Sequence, residues 1–212
     1  MDRSRSVDHA GERLPSWHRD VRATLFGWGS ATERPLSAGD GWHRYRGRMS
    51  WDREWLGTQG FEGFVRFAGL PSSPVPTGAG VYVVYRETLE PPVFLGVSCG
   101  GHFKGKDPTV PIASLQAAWV PTAHVLNVGK AALGASGRRG LKKRLGEYRR
   151  YGEGEPIGHA GGRYIWQLKD SSNLLVAWLE TPGRDPKLVE DQFIADFAQQ
   201  YGKRPFANLN GG

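Results

Sequence analysis

Cysteine is almost missing from this chain: Cys99 is the one thiol in 212 residues. That excludes an internal disulfide framework and fits a reducing compartment. Long apolar runs are missing as well, and no stretch approaches the length needed to span a bilayer. The N-terminal segment MDRSRSVDHAGERLP carries positive charge without the apolar region of a signal peptide. These absences predict a cytoplasmic protein with no membrane association. Lysine does not occur in residues 1–58, and no internal repeat is visible. At 39% hydrophobic residues the chain can still bury a substantial core.

The net charge of +7 is concentrated in one third of the chain. Residues 101–163 hold 11 Lys and Arg against Asp107, Glu147, Glu153 and Glu155, and the flanking segments are close to neutral. A local basic field of this kind suits a polyanionic partner; charge kept for solubility is more often spread out.

Residues 1–58 are rich in Arg and Trp. Trp17, Trp28, Trp42, Trp51 and Trp55 are five of the eight tryptophans, a density that argues against a disordered tail. The Pro/Ser/Gly stretch GLPSSPVPTG (69–78) reads as a joint. The division expected is therefore an Arg/Trp-rich extension, 1–75, and a regular domain, 76–212. In the latter, GVYVVYRE (80–87) alternates as a strand, with Val81, Val83 and Tyr85 on one face and Tyr82 and Val84 on the other. A long insertion follows (88–122). HVLNVG (124–129) is a second strand, 138–151 a helix, and RYIWQL and NLLVAWLET are further strands. DPKLVEDQFIADFAQQYG opens with an Asp cap and Pro at the first helical position and stops at Gly202. The fold class expected is α+β, a small mainly antiparallel sheet flanked by helices.

Two charges fall on the wrong helix faces. At about 100° per residue, Leu141, Leu145, Tyr148 and Tyr151 form one stripe, and Arg144 lies inside it. In the last helix Val189, Phe193, Ile194, Phe197 and Tyr201 define the buried stripe, with Glu190 in its middle. Charges aimed at a core must find partners. Either Arg144 and Glu190 form a buried ion pair with no further role, or they surround a phosphate, the guanidinium gripping its oxygens and the carboxylate holding Mg²⁺.

Taken in order, GVY (80–82), NVGK (127–130), LKKRLGEY (141–148), Glu190 and PFAN (205–208) resemble the GIY-YIG nuclease domain over roughly residues 76–210. The resemblance implies roles by position. Tyr82 matches the strand tyrosine that acts as general base or polarises the attacking water. Arg144 matches the arginine on the scissile phosphate, and Tyr148 a position, Tyr or His in relatives, that orders the water or the base. Glu190 matches the carboxylate that holds a single divalent metal, Mg²⁺ or Mn²⁺. Asn208 matches the asparagine that braces the site against the nucleic acid. Lys130 resembles a lysine that lowers the tyrosine pKa or touches phosphate. The chain departs from the pattern at Asn127, where a second tyrosine is usual, with Tyr85 and Tyr164 as candidate substitutes. It also has longer intervals between Tyr82 and Asn127 and between Glu190 and Asn208.

Phosphodiester hydrolysis needs an activated water and neutralisation of growing phosphoryl charge, which this set can in principle supply. A free phenol, with pKa about 10, becomes a base only if a cation or metal stabilises its phenolate. Arg138, Arg139, Lys142, Lys143, Arg149 and Arg150 surround Arg144, offset only by Glu147 in the run, and read as backbone-phosphate contacts. His159, in a glycine-rich loop near Arg163, is placed to approach DNA or the leaving group, but it reads first as an ordinary loop histidine, as does His102, and neither has metal-ligand spacing to Cys99. The function expected is metal-dependent endonuclease activity, on DNA in preference to RNA. The alternative, motivated by Asn127, is a weak or inactive nucleic-acid-binding module. The Arg/Trp extension is the candidate surface for homodimer formation or a partner protein in a larger complex.

Overall fold

The structure is a computed structural model and describes residues 49–159 and 161–209. Four antiparallel strands, β1 (Glu62–Arg66), β2 (Gly80–Tyr85), β3 (Val125–Ala131) and β4 (Leu175–Glu180), lie in the order β1-β4-β2-β3. The chain is α+β as its patterning predicts. No helix among the described residues is long and apolar enough to cross a membrane.

β2 is central and buried on both faces, and its alternation sorts two cores. Tyr82 and Val84 face one, where α3 (Gly140–Gly152) contributes Leu141, Leu145 and Tyr148. Val81, Val83 and Tyr85 face the other, where α5 (Pro186–Tyr201) contributes Val189, Phe193 and Phe197. Each large apolar side chain buried this way contributes roughly 1.5–3 kcal/mol before entropy is charged against it. α5 begins as its sequence dictates: the Asp185 carboxylate accepts from the Lys187 amide at 2.8 Å, Pro186 occupies the first turn, and Gly202 ends the helix in the left-handed region. α3 starts differently. It has no side-chain cap; its Leu141 and Lys142 amides donate to the Gly78 and Pro76 carbonyls at 2.9 Å each. Gly140 makes that junction possible, because its φ is +59° and a Cβ there would collide with the Thr77 carbonyl.

Three expectations need correction. The folded unit does not begin at residue 76. β1 pairs with β4, and the short helix α1 (Arg53–Thr58) precedes it, with Trp51 and Leu56 fully buried in the α5-side core. Trp51 packs edge-on against Phe193 and Phe197. β1 escapes periodicity because a bulge between Gly63 and Val65 breaks its alternation. RYIWQL is not a strand. It holds the short helix α4 (Gly162–Ile165) and then a turn in which only Leu168 makes a bridge, to Phe94. An apolar run this short fits either state by pattern alone. Its Gln167 side chain, wholly buried, serves as backbone by proxy, bonding the Val110 amide and carbonyl at 2.8 Å and the Leu95 carbonyl at 2.9 Å. This pins the insertion, which carries α2 (Ile112–Ala118), to the domain. Finally, the basic run is offset by more than Glu147: Arg149 pairs with Glu153, and Arg150 with Glu155 at 3.5 Å. The expectations placed on Trp17, Trp28 and Trp42 and on the extension as a docking arm fall on residues 1–48, outside the described residues.

Candidate active site

β3 is an edge strand, and the described residues cover only half of its outer edge. The segment after α5 runs along the first half: the Ala207 amide donates to the Leu126 carbonyl at 2.7 Å. The Asn208 side chain then acts as one more strand residue, accepting from the Val128 amide at 2.8 Å and donating to its carbonyl at 2.7 Å. Beyond that point, between α3 and α5, lies an open cavity of about 570 Å³ whose walls include Tyr82, Lys130, Arg144 and Glu190.

Tyr82 reaches this edge from the strand behind it. Its register partner across the ladder is Gly129, and a Cβ at Gly129 would overlap the Tyr82 ring and hydroxyl. The glycine is what lets the phenol lie flat over β3. Burial raises the Tyr82 pKa above its ordinary value of about 10, and the neighbouring Arg144 guanidinium opposes the rise without cancelling it. The phenol is therefore protonated at neutral pH.

Arg144 does sit in the apolar stripe of α3. Its side chain remains 30% exposed because the stripe runs out at the cavity. Burial works to lower its pKa, yet the Tyr82 phenol and Glu147 outweigh this and raise it. Its nearest carboxylate is Glu147 at 3.9 Å, which is already held by Arg139 at 3.0 Å. Beyond Tyr82, much of the Arg144 donor set is thus unspent among the described residues.

Glu190 enters from the opposite side of the sheet. It pairs with Lys130 at 2.6 Å, and not with Arg144, with side-chain exposures of 14% and 39%. The inert Arg144–Glu190 pair considered from the sequence is absent. The next carboxylate on this wall, Asp191, is engaged with Lys187 at 2.6 Å. Among the described residues no three His, Cys, Asp or Glu side chains gather into a metal-ligating group. The donor set fits a hard cation bound through one carboxylate, since Mg²⁺ keeps several waters and takes the rest of its shell from substrate phosphate. Lys130 occupies one Glu190 oxygen and would have to share that carboxylate with the ion.

Asn127, the departure from the tyrosine pattern, is buried and donates to the Asn208 side-chain oxygen at 3.3 Å. It therefore extends the brace that holds the edge. Neither candidate substitute brings a second phenol to the cavity. Tyr85 faces the α5-side core and stacks on His124, while Tyr164 packs against Phe206.

Tyr148 is fully buried beneath the site and does not line the cavity. The residue that does is His159, from the loop after α3, whose ring stacks on Tyr148 with centroids 3.6 Å apart. The Gly162 amide donates to His159 Nδ1 at 3.1 Å, which assigns the proton of the neutral ring to Nε2. Burial, reinforced by the Arg144 charge, holds this imidazole well below the usual histidine range. Its Nε2 and the Tyr148 hydroxyl are both buried without a partner among the described residues, a costly arrangement of the kind that accompanies functional sites. The sequence alone favours an ordinary loop residue at His159, because a glycine-rich loop gives no periodicity from which to infer burial.

The basic side chains divide into two sets. Arg139, Arg149 and Arg150 are paired with carboxylates. Arg138, Lys142 and Lys143 have no such partner among the described residues and line a neighbouring concavity of about 540 Å³. Arg139 stands in the wall of both hollows. The result is a cationic track leading to Arg144.

No protein-family model, no curated protein and no solved structure matches this chain.

Proposed function

We propose that this protein is a metal-dependent endonuclease of the GIY-YIG type that hydrolyses nucleic-acid phosphodiester bonds, with DNA as the favoured substrate. One observation carries the reading: a strand phenol, a helix guanidinium and a helix carboxylate, delivered from three elements and two faces of the sheet, line one open cavity. Arg144 donates to the non-bridging oxygens of the scissile phosphate, for which its unspent planar donor set is suited. Tyr82 lies against the attacking water; Arg144 favours its phenolate, which takes the water's proton once the phenolic proton has passed to solvent through the open cavity. Glu190 holds Mg²⁺ or Mn²⁺, which when bound would neutralise phosphoryl charge and favour departure of the leaving alkoxide. Lys130 holds the Glu190 carboxylate in place until then, and Asn208 keeps the β3 edge rigid. Arg138, Lys142 and Lys143 bind flanking phosphates and confer affinity without sequence preference.

A second reading has its own observation. With Lys130 bound to Glu190, a protein that never exchanges this cation for a metal would bind nucleic acid without cutting it.

The test is a cleavage assay on supercoiled DNA, branched DNA and RNA with and without Mg²⁺ or Mn²⁺. Tyr82→Phe and Arg144→Ala are expected to keep wild-type circular dichroism and lose most of the rate, roughly 10²- to 10³-fold for Arg144→Ala. Wild-type protein that binds all three substrates but cuts none in either metal, with binding unchanged in Glu190→Ala, would replace the nuclease with the binding module.

A further inference from the structure

A second hollow of about 420 Å³ adjoins the first, and His159 stands in the wall of both. Its lining is mostly apolar: besides His159 it has the rings of Tyr151 and Phe103, with Lys106, Asp107 and Arg163 as its charged members. Phe103 comes from the insertion (88–122) and is 41% exposed, unusual for a large aromatic. The backbone holds it there. Lys104 and Gly105, directly after it, both adopt positive φ, +53° and +71°, and the Phe103 ring lies close against Gly158. Arg163 fixes the far side of the insertion by donating to the Pro108 and Thr109 carbonyls at 3.1 and 3.4 Å. A non-glycine residue kept in the left-handed region to present an aromatic ring at a hollow is the type of local strain that marks binding sites.

We infer that this second hollow receives a single nucleobase, unstacked from the strand whose phosphate occupies the first. The inference rests on the nuclease reading and adds to it a substrate class: nucleic acid with an unpaired or easily flipped base beside the scissile bond. The occupant follows from continuity and chemistry. Sugar and phosphate join a base to its own phosphate over a short reach, and one histidine separates the two hollows. The volume falls within the usual range for small-ligand sites, about 300–1,000 Å³. Bases present a flat π-face that stacks on aromatic side chains whatever their identity, and Lys106 at the hollow favours the attached backbone.

The experiment uses the full chain in EDTA, so that binding is read without cleavage. Two oligonucleotide duplexes of equal length are compared, one perfectly paired and one carrying a single unpaired 2-aminopurine. The wild type is expected to prefer the second and to change 2-aminopurine fluorescence on binding. Phe103→Ala, at a half-exposed position that should tolerate it, is expected to weaken binding to the unpaired substrate about tenfold. It should abolish the fluorescence change and leave binding to the paired duplex as it was. Phe103→Trp should restore both. Equal affinity for the two duplexes, or a fluorescence change that survives Phe103→Ala, overturns the base site. If Mg²⁺-dependent cleavage of paired DNA is nevertheless present, the nuclease reading stands without it. Absence of binding to either duplex overturns both.

Discussion

Two arginines in this molecule are set among apolar neighbours, and they have been put to opposite use. Arg86, directly after β2, is 6% exposed in its side chain, and its Nε and one terminal nitrogen are both engaged. It pairs with Asp170 at 2.7 Å, donates to the Thr88 and Glu90 carbonyls at 3.1 and 2.6 Å, and lies over the Trp119 ring. Arg144 has a distant, shared carboxylate, a phenol and an open cavity. The first is a fastener that holds the start of the insertion to the domain. Under the proposed function, the second keeps its donors for a phosphate that arrives from outside. What each guanidinium already touches among the described residues is the clearest difference between the two.

The difference can be broken from either side. Arg86→Ala should be the most damaging change to the fold, about 3 kcal/mol or more in urea unfolding, because Asp170 and two carbonyls lose their donor. Arg144→Ala should be nearly silent in the same measurement while stopping cleavage, and equal destabilisation by the two variants would erase the distinction. Gly129→Ala should come next. It displaces the Tyr82 ring, costing roughly 1–3 kcal/mol by overpacking and lowering cleavage beyond that loss.

The His159 ring sharpens the comparison through pH. Its neighbours are Tyr148, Tyr151 and the Arg144 cation. Its folded-state pKa lies well below the 6.5 of a free histidine, so the unfolded chain takes up the proton first as pH falls. Stability from this residue is fully present above pH 6.5 and declines as pH drops from there toward the folded-state value. His159→Gln should flatten that part of a stability-versus-pH curve, and an unchanged slope would remove the histidine from the buried site. The smallest effect belongs to the track: Lys142→Ala or Lys143→Ala should each reduce the salt slope of DNA binding by about one without altering stability.

What the sequence could reveal of all this follows physical lines. The alternation in β2 predicted which residues face which core, because period-two burial leaves a direct imprint on a central strand. Arg144 and Glu190 stood out as charges on apolar helix faces, and both line the cavity. The partner of Glu190 did not stand out, since Lys130 is brought to it by packing α5 across β3. β1 was hidden by its bulge and α4 by its brevity. His159 was hidden because its burial depends on a stacking partner eleven positions away on another element. Tyr148, read as a site residue, is that partner and lies one layer deeper.

The pairing of Asn208 with Val128 has an implication for behaviour in concentrated solution. A bare sheet margin is an invitation for another chain to add itself, and here the Ala207 amide and the Asn208 side chain together close half of it among the described residues. Asn208→Ala would leave an adhesive strip beside the cavity, and slow self-association of otherwise well-folded molecules, seen by light scattering, is the expected result.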